Sequence, residues 1–164
     1  MAPNMTKRIY NEIKDVNDDN TTPLQVYVPN EENMYHLIGS INGPIESPYE
    51  GGTFLLDIKL HENHPFQPPQ IKFITKVYHP NISSQTGAIC LDVLKSHWSP
   101  AMTLRITLIS IQSLLDSPVP QDPQDAQVAK HYLSDHDEFI KEARLWTRTY
   151  ANVSLNDYVA SSFN

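Results

Sequence analysis

Neither a second cysteine nor a long hydrophobic run occurs in this sequence of 164 residues. With Cys90 alone no internal disulfide can form, and the polar opening, Met1 to Val16, lacks the apolar core of a secretory signal. A reducing, intracellular location is therefore expected, in the cytoplasm and also in the nucleus. The most apolar segment, Leu104 to Leu115, is interrupted by polar residues, so it cannot supply the roughly 20 apolar residues of a membrane helix. No membrane association is predicted.

Clusters of lysine and arginine are also missing, and the net charge is −7. Because binding to a phosphate backbone depends on clustered cations that release counterions, nucleic acid is not expected as a partner. His61 and His64 have the His-x-x-His spacing of metal ligands, but they lie in a proline-bounded loop without further candidate ligands nearby. No metal site is predicted, and both histidines are expected at the surface.

The pattern of apolar residues predicts one domain with one helix, four strands and then three helices. The first helix is predicted over Met5 to Val16. Connections between the strands are too short for parallel crossovers. The strands are predicted at Leu24 to Val28, Tyr35 to Ile41, Thr53 to Lys59 and Gln70 to Lys76. The later helices are predicted from a cap at Thr103 to Leu115, at Gln124 to Leu133 and at Asp135 to Tyr150. The expected fold class is α+β, an antiparallel meander with helices segregated from the sheet.

Cys90 is the candidate for chemistry, because a thiolate is the strongest common protein nucleophile. A solitary intracellular cysteine is also often an inert, buried hydrophobic residue. The segment from His79 to Pro100 has neither helical nor strand periodicity, and irregular loops commonly display functional groups. The position of Cys90 in this segment favours the nucleophile.

Two kinds of reaction are open to such a cysteine. A hydrolase needs a histidine base, for which His79 and His97 are near in sequence. Asp92 lies two residues after the thiol, and a nearby carboxylate raises a thiol pKa, which disfavours attack on an amide. Transfer between thioesters is nearly balanced in free energy and needs less activation. The site therefore suits acyl carriage better than hydrolysis.

Several segments in the same order resemble the ubiquitin-conjugating enzyme family. Tyr78-His79-Pro80-Asn81, with Cys90 nine residues after Asn81, is similar to the family's His-Pro-Asn and active-site cysteine signature. The other matching segments are 48–52, 64–69, 98–101 and 146–150. The resemblance covers Thr6 to Ala151 and implies the family's fold, with residues 1–151 as the catalytic domain and residues 152–164 as a short C-terminal tail. Non-catalytic variants of this fold lack the cysteine, so Cys90 counts against a role limited to binding.

The resemblance implies that Cys90 accepts ubiquitin, or a close relative of it, as a thioester and passes it to a lysine or to a ligase cysteine. Asn81 occupies the position of an amide that donates a hydrogen bond to the oxyanion, or it only braces its loop. Tyr78 and Asp122 correspond to positions that line the approach of the lysine. Asp122 would stabilise the positive charge growing on the attacking nitrogen, or it would only form a turn. His79 is interpreted as scaffold bonded to local backbone.

The same resemblance implies the partners. Lys7 and Arg8 correspond to basic side chains that the family presents to the ubiquitin-activating enzyme. The docking surface for RING and HECT ligases corresponds to Phe66, Ser99, Pro100 and Ala101, with Phe66 either an apolar anchor or a ring packed under its own prolines. No cofactor is expected, because ATP is used by the activating enzyme. The protein is expected to be a monomer.

Two further features bear on activity. Pro118-Val119-Pro120 stands where the family commonly has Pro-Asn-Pro, so a hydrogen bond from that asparagine is absent. The segments Val77 to Leu94 and Asp122 to Tyr132 resemble the subgroup that adds a C-terminal ubiquitin-associated domain and builds linkage-specific chains. Polyubiquitin chain building is therefore expected, although residues 152–164 are too few for a three-helix module.

Overall fold

The computed structural model describes residues 3–163, with side chains from Met5 onward. Its elements in chain order are α1 (Pro3–Asn17), β1 (Gln25–Tyr27), β2 (His36–Asn42), β3 (Thr53–Lys59), β4 (Gln70–Phe73), a short 3-10 turn (Asp92–Leu94), α2 (Leu104–Asp116), α3 (Ala126–Ser134), α4 (His136–Tyr150) and α5 (Leu155–Ser162). The predicted α+β fold class is confirmed. None of the helices described in this range has the length and apolarity to cross a membrane.

The four strands form one antiparallel sheet in the order β1-β2-β3-β4, as the short connections require. Strand β4 ends at Phe73, before the predicted Lys76. The N–H groups of Ile74 and Thr75 both donate to the carbonyl oxygen of Leu55, at 2.8 and 3.4 Å, so the regular ladder stops there. The chain then leaves the sheet for the irregular segment that carries Cys90.

One face of the sheet carries the main core, with helix α2 packed across it. Buried side chains of β2 and β3 meet buried side chains of α2 there, and the set includes Leu37, Ile41, Phe54, Leu56, Ile58, Leu104, Leu108 and Ile111. Thr103 caps α2, because its side chain accepts a hydrogen bond from the Ile106 N–H. This local signal placed the start of α2 correctly. Because α2 begins where the irregular segment ends, this core fixes the end of that segment.

Residues 152–164 contain helix α5, which lies on the opposite face of the sheet. Leu155 is 7% exposed and packs against Ile38 and Leu55. Ser154 caps the helix by accepting a hydrogen bond from the Asp157 N–H. A helix of eight residues with one buried apolar side chain gives little periodic signal, which is why the sequence predicted only a short tail here.

Candidate active site around Cys90

Cys90 lies between β4 and α2 and is half-buried. Its N–H donates to the carbonyl oxygen of Asn81 at 2.9 Å, and the neighbouring Ile82 and Ile89 form an isolated antiparallel bridge. Both isoleucines are buried, so the backbone beside the thiol is anchored to the core. The sulfur itself keeps access to solvent, which is contrary to an inert, sealed cysteine.

A glycine is required at position 87 in the turn that leads to Cys90. Gly87 has φ of 78°, in the left-handed region that favours glycine. A β-carbon at this position would lie 2.0 Å from the carbonyl oxygen of Phe73. The Gly87 carbonyl oxygen in turn accepts the Phe73 N–H at 2.9 Å. The close approach fastens the cysteine segment to the end of β4.

Two charged side chains contact the sulfur of Cys90. The thiol donates to Oδ2 of Asp122 at 3.4 Å, and Lys95 Nζ donates to Sγ at 3.8 Å. Burial raises the pKa of the Cys90 thiol, the hydrogen bond to Asp122 raises it further, and the Lys95 charge acts against both. Asp92 also raises this pKa, but it is the last of these causes. The resting cysteine is therefore a protonated thiol between an anion and a cation.

His79 is not available as a base for the cysteine. Its Nε2 donates to the carbonyl oxygen of Leu114 at 2.7 Å, and its Nδ1 accepts from the N–H of Asn81 at 3.0 Å. Burial lowers the pKa of His79 to about 4, so the ring is neutral and both nitrogens are occupied. His97 has its ring Nδ1 3.7 Å from Oδ2 of Asp92. Among the residues that the structure describes, no histidine is hydrogen-bonded to the thiol.

The side chain of Asn81 braces the loop that carries Asp122. Its Nδ2 donates to the carbonyl oxygens of Val119 and Asp122 at 2.8 and 2.9 Å, and its Oδ1 accepts the Val119 N–H at 2.8 Å. Asn81 is 1% exposed. Both amide hydrogens are thus engaged in this state, and donation to an oxyanion requires one of them to leave its carbonyl. The oxyanion role stays a prediction.

Asp125 ties the same loop at a second point, and sequence reasoning missed it. Its Oδ2 accepts from the N–H and the hydroxyl of Ser84 at 3.0 and 2.6 Å, while Oδ1 accepts the Val128 N–H at 3.2 Å. Burial raises the pKa of Asp125, but these hydrogen bonds hold it below its ordinary value. Helix α3 therefore begins at Ala126 rather than at Gln124. An aspartate just before a helical pattern was a usable cap signal.

Tyr78 lies in an aromatic cluster that joins the active-site segment to α3 and α4. Its hydroxyl is hydrogen-bonded to Nδ1 of His131 at 2.8 Å, and its ring centroid is 5.7 Å from that of Phe139 and 5.2 Å from that of Trp146. Burial raises the pKa of Tyr78, and Glu142 adds to the shift. The hydroxyl thus contacts α3 rather than the thiol. Whether the ring also lines the lysine's approach stays a prediction.

Lys95 is the contact of the sulfur that sequence reasoning missed. The 3-10 turn Asp92–Leu94 reverses the chain after the cysteine, and the Lys95 N–H donates to the Asp92 carbonyl oxygen at 2.9 Å. This turn brings a side chain five positions later back onto Sγ. An irregular segment has no periodicity from which such a return can be read.

The residues predicted to bind ligases are all exposed, on two loops that contact each other. Phe66 is 69% exposed, so it does not pack under its neighbouring prolines. Ser99, Pro100 and Ala101 are exposed as well. Trp98 Nε1 donates to the carbonyl oxygen of Pro65 at 2.8 Å, which holds the two loops together. An exposed aromatic ring on a rigid loop is a suitable anchor for a partner.

The expectation that His64 lies at the surface is wrong. His64 is 1% exposed, and its Nε2 lies 2.8 Å from Oε2 of Glu12. Oε1 of Glu12 accepts the Leu104 N–H at 2.9 Å. Burial raises the pKa of Glu12, but His64, this N–H and Arg8 together hold it below its ordinary value. The sequence of the loop around His64 gives no indication of a buried carboxylate that lies on α1. His61 is exposed as predicted.

Lys7 and Arg8 differ in their contacts. Lys7 is exposed on α1. The guanidinium of Arg8 lies 3.2 Å from Glu12 Oε2 and donates to the carbonyl oxygen of Pro100 at 2.8 Å. Arg8 therefore also braces the Ser99–Ala101 loop.

Within residues 3–163 no group of three or more potential metal ligands is found.

Comparison with known proteins gives consistent similarities. The family model of the ubiquitin-conjugating enzyme matches residues 8–147. The Ubiquitin-conjugating enzyme E2 1 of Schizosaccharomyces pombe is 50% identical over 151 residues, covering 92% of this chain and 69% of that protein. The Ubiquitin-conjugating enzyme E2 K of Homo sapiens is 48% identical over 158 residues, covering 95% and 79%. The E2 domain of a Toxoplasma gondii ubiquitin conjugating enzyme has a TM-score of 0.85 at 47% identity, covering 90% of this chain and 99% of that one.

Proposed function

This chain belongs to the ubiquitin-conjugating enzyme family, and we propose that Cys90 is the residue on which it carries ubiquitin as a thioester. Enzymes of this family work between an activating enzyme and ligases, with ubiquitin as the transferred group. The supporting observation is the half-buried sulfur of the chain's one cysteine, held between Asp122 and Lys95. The absence of a histidine on the thiol, among the described residues, favours acyl carriage over hydrolysis.

Loading is an exchange between two thioesters. The Cys90 sulfur, as thiolate, attacks the carbonyl carbon of ubiquitin's C-terminus on the activating enzyme. The new C–S bond forms while the old one breaks, and the activating enzyme's cysteine leaves as thiolate. The thiol proton is released to solvent. Because the bond broken resembles the bond formed, a thiol with a raised pKa is sufficient for this step.

Discharge transfers the acyl group to a lysine amine or to a ligase cysteine. A lysine is neutral only to the order of one part in a thousand at pH 7, so the site must favour the reacting amine. Oδ2 of Asp122 lies 3.4 Å from Sγ, where it can orient the amine and stabilise the positive charge that grows on nitrogen during attack. The C–N bond forms, the C–S bond breaks with its electron pair staying on sulfur, so that Cys90 leaves as thiolate, and the proton that nitrogen loses goes to solvent.

Asn81 stabilises the oxyanion of discharge in this proposal. Its Nδ2 is hydrogen-bonded to two carbonyl oxygens of the Asp122 loop, and its backbone carbonyl is paired with Cys90. The amide is therefore adjacent to the reacting centre and has to exchange one of those partners. Such a donor typically lowers the barrier by about 3 kcal/mol.

The finer partner assignments rest on the exposed surfaces. We propose that RING or HECT ligases dock on Phe66 and on residues Ser99, Pro100 and Ala101. Lys7 contacts the activating enzyme together with Arg8, which is half-buried. The protein acts as a monomer in the cytoplasm and nucleus, needs no cofactor of its own, and builds polyubiquitin chains. The ligase site is supported by the 69% exposure of Phe66 and by the hydrogen bond from Trp98 to the Pro65 carbonyl oxygen, next to Phe66.

A loading assay tests the role of Cys90. The protein is incubated with activating enzyme, ATP and ubiquitin and is run on a non-reducing gel. The wild type should gain one ubiquitin that is lost on adding thiol, Cys90→Ala should gain none, and Cys90→Ser should give an adduct that survives thiol. His97→Ala, a change at a nearby exposed histidine, should load normally. A thiol-sensitive adduct on Cys90→Ala, or none on the wild type, would refute the proposal.

A further inference from the structure

We propose that Lys95 is a catalytic residue whose ammonium stabilises the thiolate of Cys90. Its Nζ lies 3.8 Å from Sγ, so it touches the reacting atom itself. This role rests on the proposed function of Cys90 as the thioester carrier. Lys95 is then the cation and Asp122 the anion that contact the same sulfur.

The need for a cation follows from the charges around the thiol. Asp122 accepts a hydrogen bond from the thiol, with Sγ 3.4 Å from Oδ2, and its charge disfavours the thiolate. Asp92 disfavours the thiolate as well. The whole chain carries a net charge of −7. Each turnover nevertheless places negative charge on Sγ twice, during loading and during discharge. A cation in contact with Sγ lowers the cost of both events.

The fold holds the Lys95 backbone in place on both sides. Its N–H donates to the Asp92 carbonyl oxygen at 2.9 Å, and its carbonyl oxygen accepts the Trp98 N–H at 3.3 Å. Leu94, the preceding residue, packs against the main core. The base of the side chain is therefore fixed relative to Cys90, and the Nζ contacts Sγ from this position.

The two half-reactions use Lys95 in the same way. During loading the ammonium stabilises the attacking thiolate after the thiol proton has gone to solvent. During discharge the electron pair of the breaking C–S bond stays on Sγ, and the ammonium stabilises the leaving thiolate until it takes up a proton. The lysine transfers no proton and forms no bond.

Alkylation of the cysteine by neutral iodoacetamide tests this charge effect without ubiquitin or any partner. Because the chain has one cysteine, intact mass reports Cys90 alone. At pH 7 Lys95→Met should react about three- to tenfold more slowly, and its pH profile should move to higher pH. Lys95→Arg keeps the charge and should stay within about twofold of the wild type. Lys141→Met, the same charge change at an exposed site on α4, controls for net charge.

Salt and single-turnover discharge give two further readouts. The difference between wild type and Lys95→Met should shrink in high salt, because a half-exposed charge pair is screened. Preloaded thioester should discharge to free lysine about three- to tenfold more slowly in Lys95→Met than in Lys95→Arg. Equal alkylation profiles for wild type and Lys95→Met would overturn the proposal, as would Lys95→Arg behaving like Lys95→Met. Failure of the wild type to load ubiquitin would instead refute the function of Cys90.

Discussion

Among single residues, Asp122 contacts the sulfur, and in the proposed mechanism it acts on the sulfur and on the incoming amine in opposite ways. Its carboxylate accepts a hydrogen bond from the thiol of Cys90, with Sγ 3.4 Å from Oδ2, and this bond helps to raise the thiol pKa. The same negative charge favours the nitrogen of an attacking lysine, which becomes positive. In the proposed mechanism one residue thus makes the free thiol less reactive and the loaded thioester more reactive toward amines.

Asp122→Asn should separate these two effects. The amide keeps an oxygen that can accept the thiol hydrogen but removes the charge, so the Cys90 pKa should fall. Alkylation at pH 7 should become about three- to tenfold faster, while discharge of preloaded thioester to free lysine should become at least about tenfold slower. Asp137→Asn on α4 is the matched control. Changes of both rates in the same direction would contradict the role of the charge.

Asn81 combines bracing with the predicted oxyanion role, and Asn81→Ala tests both. Loss of its hydrogen bonds to Val119 and Asp122 should lower the free energy of unfolding by about 2 kcal/mol. Loading should persist, and discharge to lysine should slow about a hundredfold. Urea unfolding and single-turnover discharge measure the two effects. Discharge at the wild-type rate would leave Asn81 with bracing alone.

At the scale of elements, Glu12 links α1, the loop that carries Phe66 and the start of α2. Its carboxylate, on α1, is paired with His64 in the Phe66 loop and with the first N–H of α2. Arg8, one turn earlier, contacts both Glu12 and the Pro100 carbonyl oxygen. The predicted sites for the activating enzyme and for the ligases therefore share one buried ionic cluster.

Glu12→Gln should destabilise the protein in a pH-dependent way. The Glu12 pKa is lowered in the folded protein relative to its ordinary 4.5, so its contribution is present above that pH and is lost as pH falls through the folded pKa. We expect a loss of about 2 kcal/mol at pH 7, which shrinks below pH 4.5. Urea unfolding at pH 7 and at a pH below 4.5 measures the loss of unfolding free energy at each, with Glu31→Gln as control. A difference independent of pH would contradict the ionic role.

Helix α5 packs on the sheet through Leu155, its one buried side chain, with Tyr158 and Val159 partly buried beside it, and Leu155→Asp should release it. Leu155 packs against Ile38 and Leu55 with 7% exposure, and an aspartate there would bury an unpaired charge. Amides of residues 155–162 should exchange hydrogen at least about tenfold faster, while Cys90 loads at the wild-type rate. Asn156→Asp, exposed on the same helix, is the control. Slower loading in Leu155→Asp alone would show that α5 supports the active site.

Local signals in the sequence predicted elements whose determinants lie within one turn. Thr103 and Asp135 cap α2 and α4 through N–H groups three residues on, so the sequence sufficed. His64, Lys95 and α5 escaped prediction because their surroundings come from distant parts of the chain. The pairing of His64 with Glu12 spans 52 positions, and no local pattern encodes such a contact.

At the scale of the whole molecule, the fold brings the chemistry and the predicted docking surfaces onto one framework. The sheet and α2 form a core from which the Cys90 segment, the Asp122 loop and the Phe66 loop extend. Buried or half-buried polar side chains, Asn81, Asp125 and Glu12, fix those extensions to one another. The family's function is consistent with this arrangement, because a carrier must present one sulfur to several protein partners.

Intact mass spectrometry under non-reducing conditions shows whether Cys90 carries ubiquitin as a thioester. After incubation with activating enzyme, ATP and ubiquitin, the wild type should gain the mass of one ubiquitin less one water, and dithiothreitol should remove it. Cys90→Ser should hold the same added mass after dithiothreitol, with the modification in the tryptic peptide covering residues 77–95. A modification that resists dithiothreitol in the wild type, or one that maps outside this peptide in Cys90→Ser, would refute the assignment of the thioester to Cys90.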